Sequence, residues 1–409
     1  MPTKTFAYEA LDSTGSLMKG RIDSTSAESA ANTLSDQKLT PLSVELTGVG
    51  LKKDIRIPGF KSKTSLKDLA IMSRQFASMT SSGLTLLRAL AILEEQTSKP
   101  KLTAAIGQVR NDVQAGMALS KSMSAHPDHF PLLMVNMIRA GEAGGFLDDA
   151  LSRIAKMYED DSNLRAKIKS AMTYPVIVLL FSLLLGAGVI IFIVPVFEKM
   201  FKQLGGQLPL PTKIMVVLSH NAYWAMPLMI GVVLLVMRLY RKAMQTNDAF
   251  RLKVDRLKLR LPVFGTLFTK LAISRWARNL GTLLAVGVPV IQALDVVGGT
   301  AGNAVVTEAM EDVRASVRVG QQMSGPLGRH PLFPNMVVQM MEVGEETGQI
   351  TEMLDKVADF YDHEVETATD SLTSAMEPLL VVLLGAVIGT MVICLYLPMF
   401  SIYQHIQSN

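Results

Sequence analysis

The 409-residue chain is 49% hydrophobic and 19% charged, with a mean hydropathy of +0.29 and a formal net charge of +4. This composition indicates a membrane protein with sizeable water-soluble parts. The small net charge and dispersed basic residues argue against nucleic-acid binding. The single cysteine, Cys394, excludes an intramolecular disulfide framework and a cysteine-based zinc site. Because no apolar core follows Met1, we expect no signal peptide.

Residues 1–46 predict a small α+β module of the order ββαβ. Its strands alternate apolar and polar residues, and Ser26 is placed to cap its helix. Residues 47–64, which contain glycine, proline and lysine, predict a linker. The predicted elements are strands at 6–11, 17–23 and 40–44 and a helix over 27–37.

The rest of the chain carries an internal repeat, which predicts an all-α polytopic membrane protein with two helical cytoplasmic domains, 65–171 and 268–375. Residues 74–83 match residues 278–287 at a spacing of 204, and one residue is lost farther on. Chance does not explain four residue pairs that share a spacing of 203: Pro131/Pro334, Gly141/Gly344, Pro175/Pro378 and Pro195/Pro398.

Three apolar stretches without charged residues at their centres predict transmembrane helices at 172–196, 214–238 and 376–398. Pro175 and Pro378 are predicted to lie in the first turn of their spans, where a missing N–H costs little. Small residues in the first and third spans predict close packing against a helix of this chain or of a second copy: Ser182, Gly186, Gly385 and Gly389.

Basic residues flank the spans unequally, which predicts the orientation. Both repeats and the N-terminus are expected in the cytoplasm, and the loop 197–213 and tail 399–409 in the periplasm. The connector 239–267 is basic. Its alternating leucines and basic residues over 251–260 are equally consistent with an amphipathic helix on anionic lipid and with a solvated linker.

A Gly-Glu motif recurs at Gly141-Glu142 and Gly344-Glu345. Gly141 is predicted to end a helix. The two glutamates are then either contacts for a cytoplasmic partner or caps for the N–H groups of the following helix. Each motif is completed by a later glycine: Gly145 and Gly348.

Catalytic motifs are missing from the sequence, so we expect no enzyme: it contains no phosphate loop, no H-E-x-x-H and no G-x-S-x-G. The acidic group of Glu142, Asp148 and Asp149 is a candidate site for a hard cation such as calcium. Acidic residues in a first helical turn also serve simply to complement the helix dipole. No cofactor is otherwise expected.

Besides the repeated motifs, six further stretches of the sequence are distinctive. They are the opening 6–12 (FAYEALD), the block 74–83, the tetrapeptide 172–175 (MTYP), the segment 259–265 (LRLPVFG), 287–289 (GVP) and 377–378 (EP).

With both Gly-Glu motifs, these stretches resemble the inner-membrane platform proteins of bacterial type II secretion systems and type IV pilus machines. The resemblance implies two cytoplasmic six-helix bundles, and a non-enzymatic role between a cytoplasmic assembly ATPase and pilin or pseudopilin subunits. It also implies other inner-membrane partners and a homo-oligomer. Some family members bind a divalent cation near the position of Asp148, but Ser152, one turn on, is not acidic.

Two questions stay open from the sequence. The opening residues favour the secretion branch, although other motifs occur in both branches. A transporter or channel subunit is the alternative function, and it is disfavoured because the three spans offer no charged pathway.

Overall fold

The structure is a computed structural model that describes residues 4–11, 17–24, 27–36, 39–46, 64–203, 210–262 and 264–407. The chain divides into a unit up to residue 62 and a larger unit from residue 63 onward. The predicted cap residue Ser26 and nearly all of the predicted linker 47–64 lie outside the described residues.

The first unit is a three-stranded antiparallel sheet with one helix. Strands β1 (Lys4–Leu11), β2 (Leu17–Ser24) and β3 (Thr40–Leu46) lie in the order β2-β1-β3. Helix α1 (Ala27–Asp36) contacts all three strands. Ala30 and Leu34, one turn apart, are fully buried, so the apolar stripe of α1 forms the core of this unit.

Repeat 1 consists of six helices within the described residues. In the first of them, Ser65 accepts a hydrogen bond from the Asp68 N–H at 3.2 Å, which caps the helix. The same helix buries Leu69, Met72 and Phe76 at helical spacing. The helices are α2 (Leu66–Ser81), α3 (Leu86–Gln96), α4 (Pro100–Gln114), α5 (Leu119–Ser124), α6 (Leu132–Gly144) and α7 (Leu147–Gly188).

Between the repeats lie α8 (Val194–Gln203), α9 (Leu210–Thr246) and α10 (Asp248–Arg260). Repeat 2 again has six helices within the described residues. They are α11 (Phe264–Ala285), α12 (Val290–Thr300), α13 (Ala304–Arg318), α14 (Ser324–Leu327), α15 (Asn335–Thr347) and α16 (Ile350–Gln407).

The two repeats share one hydrophobic core. A single cluster of buried side chains includes Phe76 and Met134 of repeat 1 and Trp276 and Phe333 of repeat 2. The rings of Trp276 and Phe333 meet edge to face with centroids 4.8 Å apart. Burial of this continuous apolar surface holds the repeats to each other as well as holding each repeat together.

Two stretches, Leu147–Met200 and Ile350–Ile393, are helices long and apolar enough to cross a membrane. The first contains α7, a π-helical turn at Val189–Ile193, and the beginning of α8. Pro175 and Pro378 lie in the interior of α7 and α16, so the prediction that each occupies the first turn of a helix is wrong. A proline removes one backbone donor, and the neighbouring turns keep their hydrogen bonds.

The predicted middle span, 214–238, falls within α9, some of whose side chains are not among those described. The predicted loop at 197–213 is helical up to Gln203, and residues 204–209 lie outside the described residues.

The connector helix α10 packs against α13 of repeat 2, so residues 251–260 form a helix and not a solvated linker. Contact of this helix with anionic lipid stays a prediction. The buried Asp255 accepts a hydrogen bond from the Ala304 N–H at 3.0 Å, at the start of α13, and pairs with Lys258 at 2.8 Å. Arg256 pairs with Glu308 at 2.9 Å. These contacts require α10 to lie on protein, a tertiary requirement that the local pattern does not reveal.

Candidate functional site

The Gly-Glu motifs lie in the last turns of α6 and α15. Gly145 (φ 75°) and Gly348 (φ 71°) adopt the left-handed conformation that ends these helices. The prediction that Gly141 ends its helix is therefore wrong. A helix stop of this kind needs a positive φ, which glycine adopts without strain. Gly141 and Gly344 are still helical.

Gly141 and Gly344 instead allow two helices to approach closely. A Cβ atom on Gly141 would lie 2.7 Å from the Cβ of Ala150 and 3.2 Å from the Cα of Leu147. One on Gly344 would lie 3.0 Å from the Cα of Ile350. In each repeat, the penultimate helix thus packs directly on the start of the long helix, and any side chain here would push them apart.

Glu142 and Glu345 cap helices that precede them in the chain. The carboxylate of Glu142 accepts hydrogen bonds from the N–H groups of Leu119 at 2.5 Å and Ser120 at 3.0 Å, at the start of α5. Glu345 likewise accepts from Met323 and, at 3.1 Å, from Ser324 at the start of α14. The predicted cap on the following helix is wrong.

The two capped helices lack a side-chain cap of their own. Neither α5 nor α14 has a side-chain cap from its own N-cap residue, so its free N–H groups need an acceptor from elsewhere. The glutamate on the neighbouring helix supplies it. Both carboxylate oxygens are used in this way, and the motif therefore fixes a short helix onto its repeat.

Asp148, the cation candidate, is exposed in the first turn of α7. Asp149 pairs with Arg153 at 3.0 Å, and Glu142 is occupied by its cap. Within the described residues, no three His, Cys, Asp or Glu side chains gather as a metal site would need. Calcium binding at Asp148 stays a prediction without a ligand set around it.

A group of ionic residues that we did not predict lies between the repeats. We call it the inter-repeat cluster: Asp160, Asp161, Arg275, Arg278 and Asp362. Arg275 and Arg278 on α11 face two aspartates of α7, with Nη2 of Arg275 at 3.3 Å from Oδ1 of Asp161 and Nη1 of Arg278 at 3.9 Å from Oδ2 of Asp160. Arg278 also pairs with Asp362 of α16. These residues line a cavity of about 220 Å³.

Burial and pairing shift the pKa values within the inter-repeat cluster. Burial lowers the pKa of Arg275, although Asp161 opposes this effect. Burial would also lower the pKa of Arg278, but its pairs with Asp362 and Asp359 outweigh burial and raise it. Burial raises the pKa of Asp160, against the attraction of Arg278. The cluster is thus a partly desolvated ion network that joins α7 to α11 and α16.

Repeat 1 contains an equivalent of one of these ion pairs, but at its surface. Arg74, the counterpart of Arg278, donates to Glu159, the counterpart of Asp362, with Nε 2.6 Å from Oε1. The side chain of Arg74 is 52% exposed, whereas that of Arg278 is 14% exposed. Aligning the two repeats would have shown that both arginines occupy equivalent positions in the duplicated block. It would not have predicted which one is buried.

The apolar stretches of α7 and α16 pack side by side. Ser182 is buried, and Gly186 would place a Cβ 3.2 Å from Cε of Met391 on α16. Of the two packing alternatives, Gly186 therefore contacts a helix of this chain. Gly385 and Gly389 have no described neighbour within 4 Å of such a Cβ. Before the apolar stretch of each helix begins, Lys167 of α7 pairs with Glu366 of α16.

Comparison with known proteins detects the same duplication. The family model described as "Type II secretion system (T2SS), protein F" matches residues 72–195 and again 276–398. The model for the N-terminal domain of the same family matches residues 1–45. The two matches of one model correspond to the two repeats.

Full-length relatives come from both branches of the family. The chain is 44% identical over 399 residues to the type IV pilus assembly protein PilC of Thermus thermophilus, covering 97% of this chain and 98% of that protein. It is 39% identical over 405 residues to the Myxococcus xanthus protein of that name, covering 99% and 96%.

With the type II secretion system protein F of Vibrio cholerae the identity is 30% over 399 residues, covering 97% of this chain and 98% of that protein. The relatives' names describe assembly and secretion components. The duplicated helical repeat, the apolar helices and these matches together show that the chain belongs to the type II secretion system protein F family.

Proposed function

We propose that this chain is the inner-membrane platform protein of a type IV pilus machine, where it couples a cytoplasmic assembly ATPase to the assembly of pilin subunits. Its expected partners are that ATPase, the pilins, other inner-membrane components, the lipid bilayer and further copies of itself. We further propose that both repeats and the N-terminus are cytoplasmic and that the C-terminal tail is periplasmic.

One observation carries the proposal: α7 and α16 each run without interruption from the shared core into an apolar stretch. A displacement of the soluble repeats would therefore move the membrane helices with them. The two helices are also tied together at both levels, by Lys167 and Glu366 outside the apolar stretch and by Gly186 and Met391 within it. Two linked helices that continue from the soluble core into the apolar stretches are suited to transmit force between soluble and membrane partners.

The pilus branch is preferred because the pilus relatives reach 44% and 39% identity, against 30% for the secretion relative quoted above. This preference differs from the sequence analysis, in which the opening residues 6–12 favoured the secretion branch. Seven residues at the N-terminus carry less information than identity over nearly the whole chain. In the secretion branch, pseudopilins would replace pilins as the assembled subunits.

The test is photocrosslinking in native membranes. Glu142 and Glu345 are occupied as caps, so the photoreactive residues belong at their exposed neighbours Ala143 and Glu346, which are equivalent in the two repeats. Exposed Val319, at the end of α13, is the matched control site. Capture of an assembly ATPase or a pilin supports the proposal. Normal piliation in cells from which the chain has been deleted would refute it.

The topology has its own test. Alkaline phosphatase fused after Asn409 should be active because the proposed tail is periplasmic, whereas the same enzyme fused before Met1 should be inactive. The opposite pattern would refute the proposed orientation.

A further inference from the structure

The contact between the two repeats is not symmetric. Repeat 1 contributes α6 and α7, and repeat 2 contributes α11, α12 and α16. In the duplicated fold, α11 and α12 are the equivalents of α2 and α3, and α15 is the equivalent of α6. No comparable packing of α15 against α2 or α3 exists among the described residues. One half of this contact is therefore unused on each repeat: the α2 face of repeat 1 and the α15–α16 face of repeat 2.

The residues on these unused faces differ from their buried counterparts in exposure. Met157 of α7 lines the inter-repeat cavity and is 4% exposed, but its equivalent on α16, Phe360, is 47% exposed. Arg275 lines the same cavity, and its equivalent on α2, Ile71, is 49% exposed. Large apolar side chains thus lie in water at both positions where an equivalent contact would cover them.

The unused face of α2 forms a groove, which we call the repeat-1 groove. It is lined by Lys67, Ile71, Arg74, Gln75, Glu159 and Asn163. This groove is apolar at Ile71 and carries Lys67 beside the Arg74–Glu159 ion pair. The face of α16 around Phe360 carries Asp359, whose side chain is 73% exposed. Asp359 also pairs with Arg278, yet its side chain stays exposed beside Phe360. An apolar residue beside an exposed acid on one face matches an apolar residue, Ile71, beside Lys67 on the other.

We propose that the repeat-1 groove of one copy receives the α16 face around Phe360 of a second copy, in the manner in which repeat 2 receives α7 within one chain. In this contact, the first copy uses its repeat-1 groove and the second copy uses its α16 face. The α16 face of the first copy and the groove of the second copy stay free, so each can bind a further copy in the same way. Copies with the same orientation in one bilayer are related by an axis along the membrane normal. The contact can then close into a ring within the membrane plane.

This inference specifies the surface for the self-association in the proposed function. Its test uses cells that lack all other pilus components, so its failure is distinguishable from failure of the ATPase or pilin proposals. In a Cys394→Ser background, one tagged copy carries Ile71→Cys and a differently tagged copy carries Phe360→Cys. A short bismaleimide should join the two tags when both variants are present. A single copy carrying both substitutions should form a ladder of oligomers.

Two results would overturn the proposal. One is crosslinking of Ile71→Cys to itself, or of Phe360→Cys to itself, because either shows a two-fold contact between identical faces. The other is the absence of crosslinks in the doubly substituted protein. Val319→Cys paired with Ile71→Cys is the matched control, since Val319 is exposed and is not part of either face.

A second measurement avoids dependence on cysteine geometry. Phe360→Glu places a carboxylate where the proposal has an apolar contact, and it should weaken self-association by at least about tenfold. The measurement is the dimer-to-monomer ratio in detergent by native mass spectrometry. Because Phe360 is exposed in the single chain, its helix content by circular dichroism should not change. Unchanged self-association would contradict the proposal.

Discussion

The two repeats carry the same arginine in two different environments. Arg74 lies at the surface of repeat 1 and pairs with Glu159, whereas Arg278 is covered by α7 and pairs with Asp362 and, at 3.9 Å, with Asp160. Each repeat forms an arginine–acid pair between its first and last helix. The packing of one repeat on the other changes what surrounds it. The ion pair within the repeat is thus kept in both copies, and in repeat 2 its arginine also contacts the other repeat.

The largest expected effect on stability is the difference between replacing Arg278 and replacing Arg74. Arg278→Ala leaves Asp362 and Asp160 without their partner in a partly desolvated site, so we expect it to cost about 3–5 kcal/mol. Arg74→Ala breaks an exposed pair and should cost about 1 kcal/mol or less. Thermal unfolding of both variants in detergent measures this difference. Equal losses would show that the inter-repeat environment does not matter.

The next largest loss of stability is expected at the close helix approach that both repeats have. Gly141→Ala and Gly344→Ala force a Cβ against the long helix, and each should cost about 1–3 kcal/mol. Gly141→Ala should cost more, because its nearest contact would be 2.7 Å rather than 3.0 Å. Gly188→Ala is the control, since no described atom lies within 4 Å of its Cβ position. If all three variants unfold at the same temperature, the close approach is not required.

The glutamate caps should have smaller and nearly equal effects in the two repeats. Glu142→Ala and Glu345→Ala each remove the acceptor for two backbone N–H groups, at a cost of about 0.5–2 kcal/mol. Hydrogen exchange should become faster at Leu119 and Ser120 in the first variant, and at Met323 and Ser324 in the second. Unchanged exchange at these amides would contradict the capping role.

The smallest effects depend on pH and have opposite signs for two neighbouring acids. Burial raises the pKa of Asp160 above its ordinary 3.8, so its favourable contribution exists below that pH and is lost as pH rises through the folded-state pKa. The hydrogen bond from Arg74 lowers the pKa of Glu159 below 4.5, so its contribution exists above that pH and is lost on acidification.

Two isosteric variants separate these effects. Relative to the unaltered protein, Asp160→Asn should be as stable or more stable at pH 7, and should lose that advantage near pH 4. Glu159→Gln should be less stable at pH 7, with the difference shrinking as pH falls. Denaturant unfolding across this pH range measures both trends. The same sign for both variants would contradict the assignment.

The sequence predicted the features that depend on local pattern or on the duplication. The spacing of 203 residues identified both repeats, and the apolar stretches identified the regions around Pro175 and Pro378. What it could not predict are features set by distant partners. Glu142 caps α5 because α5 lacks a cap of its own, and Asp255 holds α10 on α13.

The inter-repeat cluster shows the same limit. Nothing near Arg275 in the sequence distinguishes it from an exposed arginine, because its partner Asp161 is more than one hundred residues away. The position of Pro175 shows a different limit. A proline often begins a helix, so the pattern favoured a new helix there, while the structure continues the helix through it.

The most direct test of the central claim, that the two repeats form one energetic unit, is a double-mutant cycle across them. The pair is Arg275 and Asp161, and the variants are Arg275→Met, Asp161→Asn and the double substitution, each measured by denaturant unfolding. We predict a coupling energy of about 1 kcal/mol or more, because the groups are partly buried and 3.3 Å apart. Losses that add to within about 0.3–0.5 kcal/mol would show that the repeats are energetically independent, which contradicts the account.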